Sequence, residues 1–368
     1  MEKGMEETLS IINTPKRYEN AAGILKRSGD LVGEIGRNAL ILAGKRAFEA
    51  TGEKLTRSLD GSGVVWEKHI YSGPPTSGAV DRYGVLARKN GNDVVIGVGG
   101  GRVLDLAKAV GEKQGLPFVT VPTIPATCAA WSALSVLYRT DGVQDFYLYL
   151  EHSPALILAD KDLLLKAPLR TINAGVADTV AKWYELATTL PGNEKNFCLR
   201  LQMKVCELAL EFLEQDYLGA YQNGVTDPQV LENAVDSIIM LAGMSGSIKG
   251  SVPYGGIAHQ FYNNSTKVLE TNELMHGERV IFGLVVQFVV ENRPDRKIRE
   301  YLRGMKRLGL PTTLADLHIR ENVDDKVRII AEGIEEGVKA QKLFGRPIRV
   351  QEICDAIHRV DREGREAV

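Results

Sequence analysis

Cysteine is scarce in this 368-residue sequence, and the four that occur, Cys128, Cys198, Cys206 and Cys354, include no Cys-x-x-Cys pair. Scattered thiols suit a reduced protein and exclude both a disulfide framework and a thiolate metal site. Any bound metal would then rest on histidine and carboxylate. An excess of charge of either sign is also missing: 45 Lys+Arg stand against 47 Asp+Glu, for a formal net charge of -2. That balance advertises neither a nucleic acid nor a membrane surface, and neither is expected as a partner. No stretch of eighteen or more apolar residues is present to span a bilayer. The opening MEKGMEETLS lacks the basic start and apolar core of a signal peptide, so a cytoplasmic location is expected.

What is present is an ordinary globular composition, 44 % hydrophobic and 25 % charged. The chain is long enough for two cores to be a better solution than one. As far as residue 165, short β-branched runs alternate with helical patterns: ALILAG (Ala39 to Gly44), DVVIGVGG (Asp93 to Gly100), PFVTVPT (Pro117 to Thr123) and ALILAD (Ala155 to Asp160). Their unbroken apolar character predicts strands covered on both faces, a parallel sheet between helices. From Lys166 onward amphipathic patterns take over, as in Asn196 to Gln215, Pro228 to Gly246 and Lys326 to Phe344. The reading is a Rossmann-like α/β domain over 1–165 and an all-helical domain over 166–368, joined without a low-complexity linker. A tight junction of this kind makes a cleft, the usual place for a ligand.

Within GVGGGRVLDLAKAVG (Gly97 to Gly111) a buried strand runs through Gly99, Gly100 and Gly101 into a helix. Glycine permits close backbone approach, and the free amides and dipole of a helix start favour phosphate, so a diphosphate is the expected guest. The turn is not a G-x-G-x-x-G fingerprint, and packing alone could also demand glycine. His259 and His276 lie 17 apart in one dense segment. Neutral imidazole is the commonest side-chain ligand for divalent metals, although two buried, hydrogen-bonded histidines would read the same way. Asp178 offers a carboxylate, and Lys182 four residues later makes a solvated ion pair the alternative.

Five segments in order, GVGGGRVLDLAKAV, VPTIPATCAAWSALSVLY, APLRTINAGVADTVAKWYE, GGIAHQFYN and HGERVIFG, resemble the glycerol dehydrogenase branch of the iron-containing alcohol dehydrogenase superfamily over most of the chain. Within that branch ATCAAW followed by LSV is most similar to bacterial hydroxycarboxylate dehydrogenases acting on 2-oxo acids. The resemblance implies that Asp178, His259 and His276 bind one catalytic divalent metal, zinc in preference to iron. It implies that Gly99, Gly100 and Gly101 face the cofactor pyrophosphate, with Asp105 on the following helix, and that Thr123, Thr127, Ser132, Leu134 and Tyr138 line the nicotinamide and ribose pocket. Cys128 falls where glycerol dehydrogenases carry an aspartate beside the substrate, and Trp131 where they carry a small polar residue. Homo-oligomers are common in the family.

The activity so implied is NAD(P)-linked hydride transfer to and from a small hydroxy compound, with the metal as Lewis acid. Losing a negative charge at Cys128 favours a 2-hydroxy or 2-oxo acid, with Lys267 as a possible counter-charge and the Trp131 indole as a donor; glycerol is the alternative substrate. His152, Tyr138 and the cofactor ribose are candidate proton donors. Where NAD-dependent members place an aspartate after the first strand, this chain has Gly44 followed by Lys45 and Arg46, which would welcome the 2'-phosphate of NADP. A solvated surface pair is the plain alternative. A cyclising lyase of the dehydroquinate synthase type would need a dense basic set near the histidines, where only Lys267 and Arg279 occur.

Overall fold

The computed structural model describes residues 12–221, 227–248, 256–341 and 343–367. The opening decapeptide and Gly255 of the GGIAHQFYN segment lie outside them. Eight strands are present among the described residues: β1 (Tyr18–Ala21), β2 (Asn38–Ala43), β3 (Val65–Ile70), β4 (Val94–Gly99), β5 (Phe118–Pro122), β6 (Leu134–Tyr138), β7 (Gln144–Tyr149) and β8 (Leu156–Asp160). Six of them form one parallel sheet in the order β1-β8-β5-β4-β2-β3.

The unbroken apolar runs are its central strands, and their two faces feed separate cores. Ile41, Ile96, Val98, Val119 and Val121 pack on one side, whereas Leu40, Leu42, Val95 and Phe118 pack on the other. That is why these strands read as continuous and not alternating. β3 escaped a periodicity reading because it is an edge strand, VWEKHI, with Val65 and Ile70 exposed. β6 and β7 form an antiparallel hairpin apart from the sheet.

The chain leaves β2 toward β3 on one side and β4 toward β5 on the other, so the strand order reverses between β2 and β4. The crevice outside their carboxyl ends is the switch point at which doubly wound sheets bind ligands. Gly44 and Gly99 sit there, and Gly44 N–H donates to the C=O of Val98, the residue before Gly99, at 3.1 Å.

After β8 the regular elements among the described residues are helices, apart from an isolated bridge between Ile12 and Ile248. Helix Leu169–Thr189 is buried along most of its length and packs against helices Phe197–Leu210 and His276–Val290. Two of the amphipathic stretches are less regular than predicted. Each contains a widened turn, Glu211–Tyr217 and Ser237–Leu241, where the hydrogen bonding steps out to i→i+5. No helix among the described residues is long and apolar enough to cross a membrane.

Candidate functional site

Helix Leu169–Thr189 is built of small and aliphatic residues, and Asp178, Lys182 and Glu185 interrupt them at i, i+4 and i+7, on one face. All three are buried. Asp178 Oδ1 lies 3.2 Å from His259 Nε2 and 3.1 Å from His276 Nε2. The potential ligand atoms of the three residues all fall within 4.8 Å of one another. One carboxylate oxygen and two imidazole nitrogens converging from three helices form a donor set suited to a borderline divalent cation, with room for a further ligand.

Glu185 fixes the geometry of His259 at both ends. Its Oε1 accepts from the His259 backbone N–H at 2.8 Å, and its Oε2 is paired with Nδ1. With Nδ1–H held by a carboxylate, Nε2 is the nitrogen left to bind metal, the usual carboxylate–histidine–metal arrangement. His276 opens helix His276–Val290 and is held instead by the edge of the Tyr262 ring, 4.1 Å between centroids.

Burial works to raise Asp178, but the Lys182 ammonium and the two imidazoles hold it well below the usual carboxylate range. Burial likewise opposes charge on His259, yet Glu185 and Asp178 lift it to about 9, while burial pushes His276 down. The two carboxylates thus favour positive charge at His259, and a cation on Nε2 would answer the same field as a proton.

The ion pair weighed as the alternative for Asp178 does exist, with Lys182 Nζ 2.6 Å from Oδ1. It is not solvated: the two side chains are 5 % and 2 % exposed. Pair and histidine cluster are parts of one site.

On the nucleotide side, Gly100 caps helix Gly101–Gln114 and Gly99 adopts φ 155°, a conformation side-chain-bearing residues rarely take. Gly97 is needed for packing, since a Cβ there would lie 2.7 Å from Ala107. At Gly101 a Cβ would reach only ordinary contact distance, 3.4 Å, so packing does not account for that glycine. Lys45 and Arg46 are exposed across the crevice, on the first turn of helix Lys45–Gly61, which contains no acid.

Asp105 is buried and already partnered. It bonds Lys108 Nζ at 3.0 Å and accepts from Val136 N–H at 3.3 Å. Lys108, 0 % exposed, donates to Ser132 C=O at 3.1 Å, Ser132 Oγ at 3.2 Å and Leu134 C=O. Asp105, Ser132 and Leu134 thus hold the segment that carries Thr127 and Cys128. Tyr138, at the end of β6, meets the Tyr262 hydroxyl at 2.6 Å, which brings it next to His276.

Three of the candidates are placed by their packing and exposure. Trp131 is buried, and its indole N–H has no hydrogen-bond partner among the described residues. Its ring is wedged where the sheet and the helical half meet, with Val235 and Ile239, and a Cβ on Gly243 would sit 2.4 Å from it. His152 is 76 % exposed beside Glu112, and Lys267 is exposed and donates to Asn264 Oδ1 at 2.8 Å, so neither joins the cluster. Glu185 and Lys108 were missed. Their only signal was the spacing of charge on otherwise apolar helix faces.

The profile described as "Iron-containing alcohol dehydrogenase" matches residues 15–161. The chain is 36% identical to a glycerol dehydrogenase of Pseudomonas putida, over 87% of this chain and 88% of that protein. It is 34% identical to hydroxycarboxylate dehydrogenase A of Escherichia coli K12, over 77% of this chain and 78% of that one. Its fold superposes on the crystal structure of a probable glycerol dehydrogenase from Sinorhizobium meliloti 1021 with a TM-score of 0.84 at 26% identity, covering 96% of this chain and 99% of that one.

Proposed function

Because the chain belongs to the iron-containing alcohol dehydrogenase family, whose members use NAD(P) and a divalent metal, we propose that it moves hydride between a nicotinamide cofactor and a small alcohol or its carbonyl form, with Asp178, His259 and His276 holding the metal. The observation that carries this reading is the convergence of those three side chains, with Glu185 behind His259, about a helix that meets the segment after β5 at Gly175 and Pro125. We divide the chain after residue 165 into a nucleotide-binding and a metal-binding domain.

When bound, the metal polarises the substrate oxygen and favours its deprotonated form. The chain's own contributions are positional. Gly99 to Gly101 and the following helix N-terminus receive the pyrophosphate. Lys108 and Asp105 hold the strip between Thr127 and Tyr138 against the nicotinamide, and Glu185 keeps His259 in one tautomer. The paired hydroxyls of Tyr138 and Tyr262 are a route for the proton that leaves or returns to substrate oxygen.

On substrate, the expectation of a 2-hydroxy acid gives way to glycerol as first reading, since glycerol dehydrogenases lead the relatives by name. The hydroxy acid stands second, supported by the similarity to hydroxycarboxylate dehydrogenase A and by Cys128, whose thiol burial pushes up and so keeps neutral. The lyase reading lacks its basic set, since Lys267 points away and Arg279 is spent on Thr271, Asn272 and the Tyr262 ring.

The test is a panel of glycerol, dihydroxyacetone, glycolaldehyde and pyruvate with both reduced and oxidised nicotinamides. Cys128→Asp is expected to raise kcat/KM for dihydroxyacetone relative to pyruvate about fivefold, from roughly 1 kcal/mol of restored hydrogen bonding and carboxylate repulsion. No turnover with any nicotinamide would remove the proposal.

For the cofactor we propose NADP(H) used at least as well as NAD(H), held at its 2'-phosphate by Lys45 and Arg46. The double change Lys45→Glu, Arg46→Glu is expected to raise KM for NADPH at least tenfold and leave that for NADH within about twofold, one or two charge-assisted bonds being worth that much. An equal rise for both cofactors would refute it.

A further inference from the structure

Helix Ile257–Ser265, which presents His259, does not cap itself. Its N-cap is Gly256, with no side chain to offer the free amides of the first turn. Two of those amides are taken from outside. Ile257 N–H donates to Gln287 Oε1 at 3.0 Å, and His259 N–H to Glu185 Oε1 at 2.8 Å. The acceptors belong to the helices that carry the other two ligands, Gln287 to His276–Val290 and Glu185 to Leu169–Thr189. Gly256 is what admits them: a Cβ there would lie 2.3 Å from Glu185 Cγ and 2.6 Å from Gln287 Oε1.

Gln287 does more than cap. It is 0 % exposed and carries the one polar side chain of residues 280–290, where an aliphatic residue would avoid the desolvation of an amide. Both ends of that amide are in use. Besides the bond that Oε1 accepts from Ile257, Nε2 donates to Glu291 Oε1 at 2.9 Å and to Tyr184 C=O at 3.4 Å. Tyr184 lies on the helix of Asp178, next to Glu185. One buried side chain on the third helix thus bonds the backbone of the other two. Glu291 is itself held by Arg293 Nε at 2.7 Å, which orients the amide from the far side. The close contact of Gly277 with Ala174 spaces the helices of His276 and Asp178, and Gln287 adds the His259 helix to that pair.

We propose that Gln287 is a positioning residue of the metal centre: by bonding the start of the His259 helix to the helices of Asp178 and His276, it sets the place from which the His259 imidazole reaches the metal. The inference rests on the metal-site reading above and extends it beyond the three ligands and Glu185.

The experiment compares full-length wild type with Gln287→Leu and with Gln202→Leu as the control for a lost buried amide. Gln202 is 2 % exposed and donates to Ser245 C=O at 2.9 Å, on a helix that carries none of the three ligands. Competition with a chelator reads zinc affinity, and the visible bands of the cobalt(II)-loaded proteins read coordination geometry. Gln287→Leu should bind zinc about tenfold or more weakly and show altered cobalt bands, as a displaced ligand requires. Its kcat should fall while KM for the nicotinamide stays that of wild type. Gln202→Leu should match wild type in zinc affinity and cobalt bands. Wild-type zinc affinity and cobalt bands in Gln287→Leu overturn the proposal. Equal losses in Gln202→Leu overturn it too, by reducing Gln287 to general support of the fold. If Gln287→Leu does not fold, Gln287→Asn, whose amide stops one carbon short of Ile257 N–H, is read the same way. A wild type that takes up neither metal defeats the metal-site reading itself, and this inference with it.

Discussion

His259→Ala is expected to strip the protein of bound metal and to lower kcat by about 10³-fold or more. Only Asp178 and His276 remain as ligands, and the Lewis acid whose charge stabilisation is worth several kcal/mol goes with them. The change also strands Glu185 Oε2, which loses its imidazole partner inside a side chain that is 1 % exposed, while Oε1 keeps the backbone N–H of residue 259. Glu185→Gln separates the two effects. The amide can still accept from the His259 backbone but no longer fixes Nδ1–H as a carboxylate does, so metal affinity should fall about 10- to 100-fold with the fold intact. Elemental analysis and chelator competition on both variants are the measurements. Full metal content in His259→Ala would refute the site.

Gly277→Ala should be comparably damaging although it removes nothing. A Cβ at this position would lie 1.8 Å from the carbonyl oxygen of Ala174, a backbone atom of helix Leu169–Thr189 that cannot swing aside. The two helices must separate, at a cost of ~3 kcal/mol for overpacking. They are the helices that carry Asp178 and His276. A displacement near 1 Å between catalytic groups lowers rates by about 10²-fold. The expected result is a lower unfolding temperature together with weaker metal binding. Gly78→Ala is the control: it is also helical, nothing lies within 4 Å of its Cβ, and it should leave stability unchanged or slightly raised. Wild-type metal affinity in Gly277→Ala would show that helix spacing does not govern the site.

The sequence was most legible where one local rule decides the outcome. Doubly buried strands are apolar at every position, so β2, β4, β5 and β8 stand out, whereas β3 carries Glu67, Lys68 and His69 because only one of its edges is paired. The metal cluster was reached through family resemblance, because residues 81 and 98 positions apart acquire meaning only when three helices meet. Asp105 carries a second role that the route did not reach: it pairs with Lys108, three residues on, and both bond the segment that leads into β6. The packing of Trp131 was not legible locally for a similar reason: the space that accepts it is shaped by Gly243, more than a hundred residues away in sequence.

That wedge gives the protein a built-in optical gauge. Of the three tryptophans, Trp66 bonds Asp60 Oδ1 on the edge of the sheet and Trp183 lies edge-on to Tyr184 within the helical half. Trp131 alone touches both halves, with Tyr18 at 5.3 Å on one side and the Gly243 backbone on the other. Any rotation that widens the nucleotide crevice by parting the two halves must bring water to this indole and shift its emission to the red, so the fluorescence of a Trp66→Phe, Trp183→Phe protein follows opening and closing directly, without an attached dye.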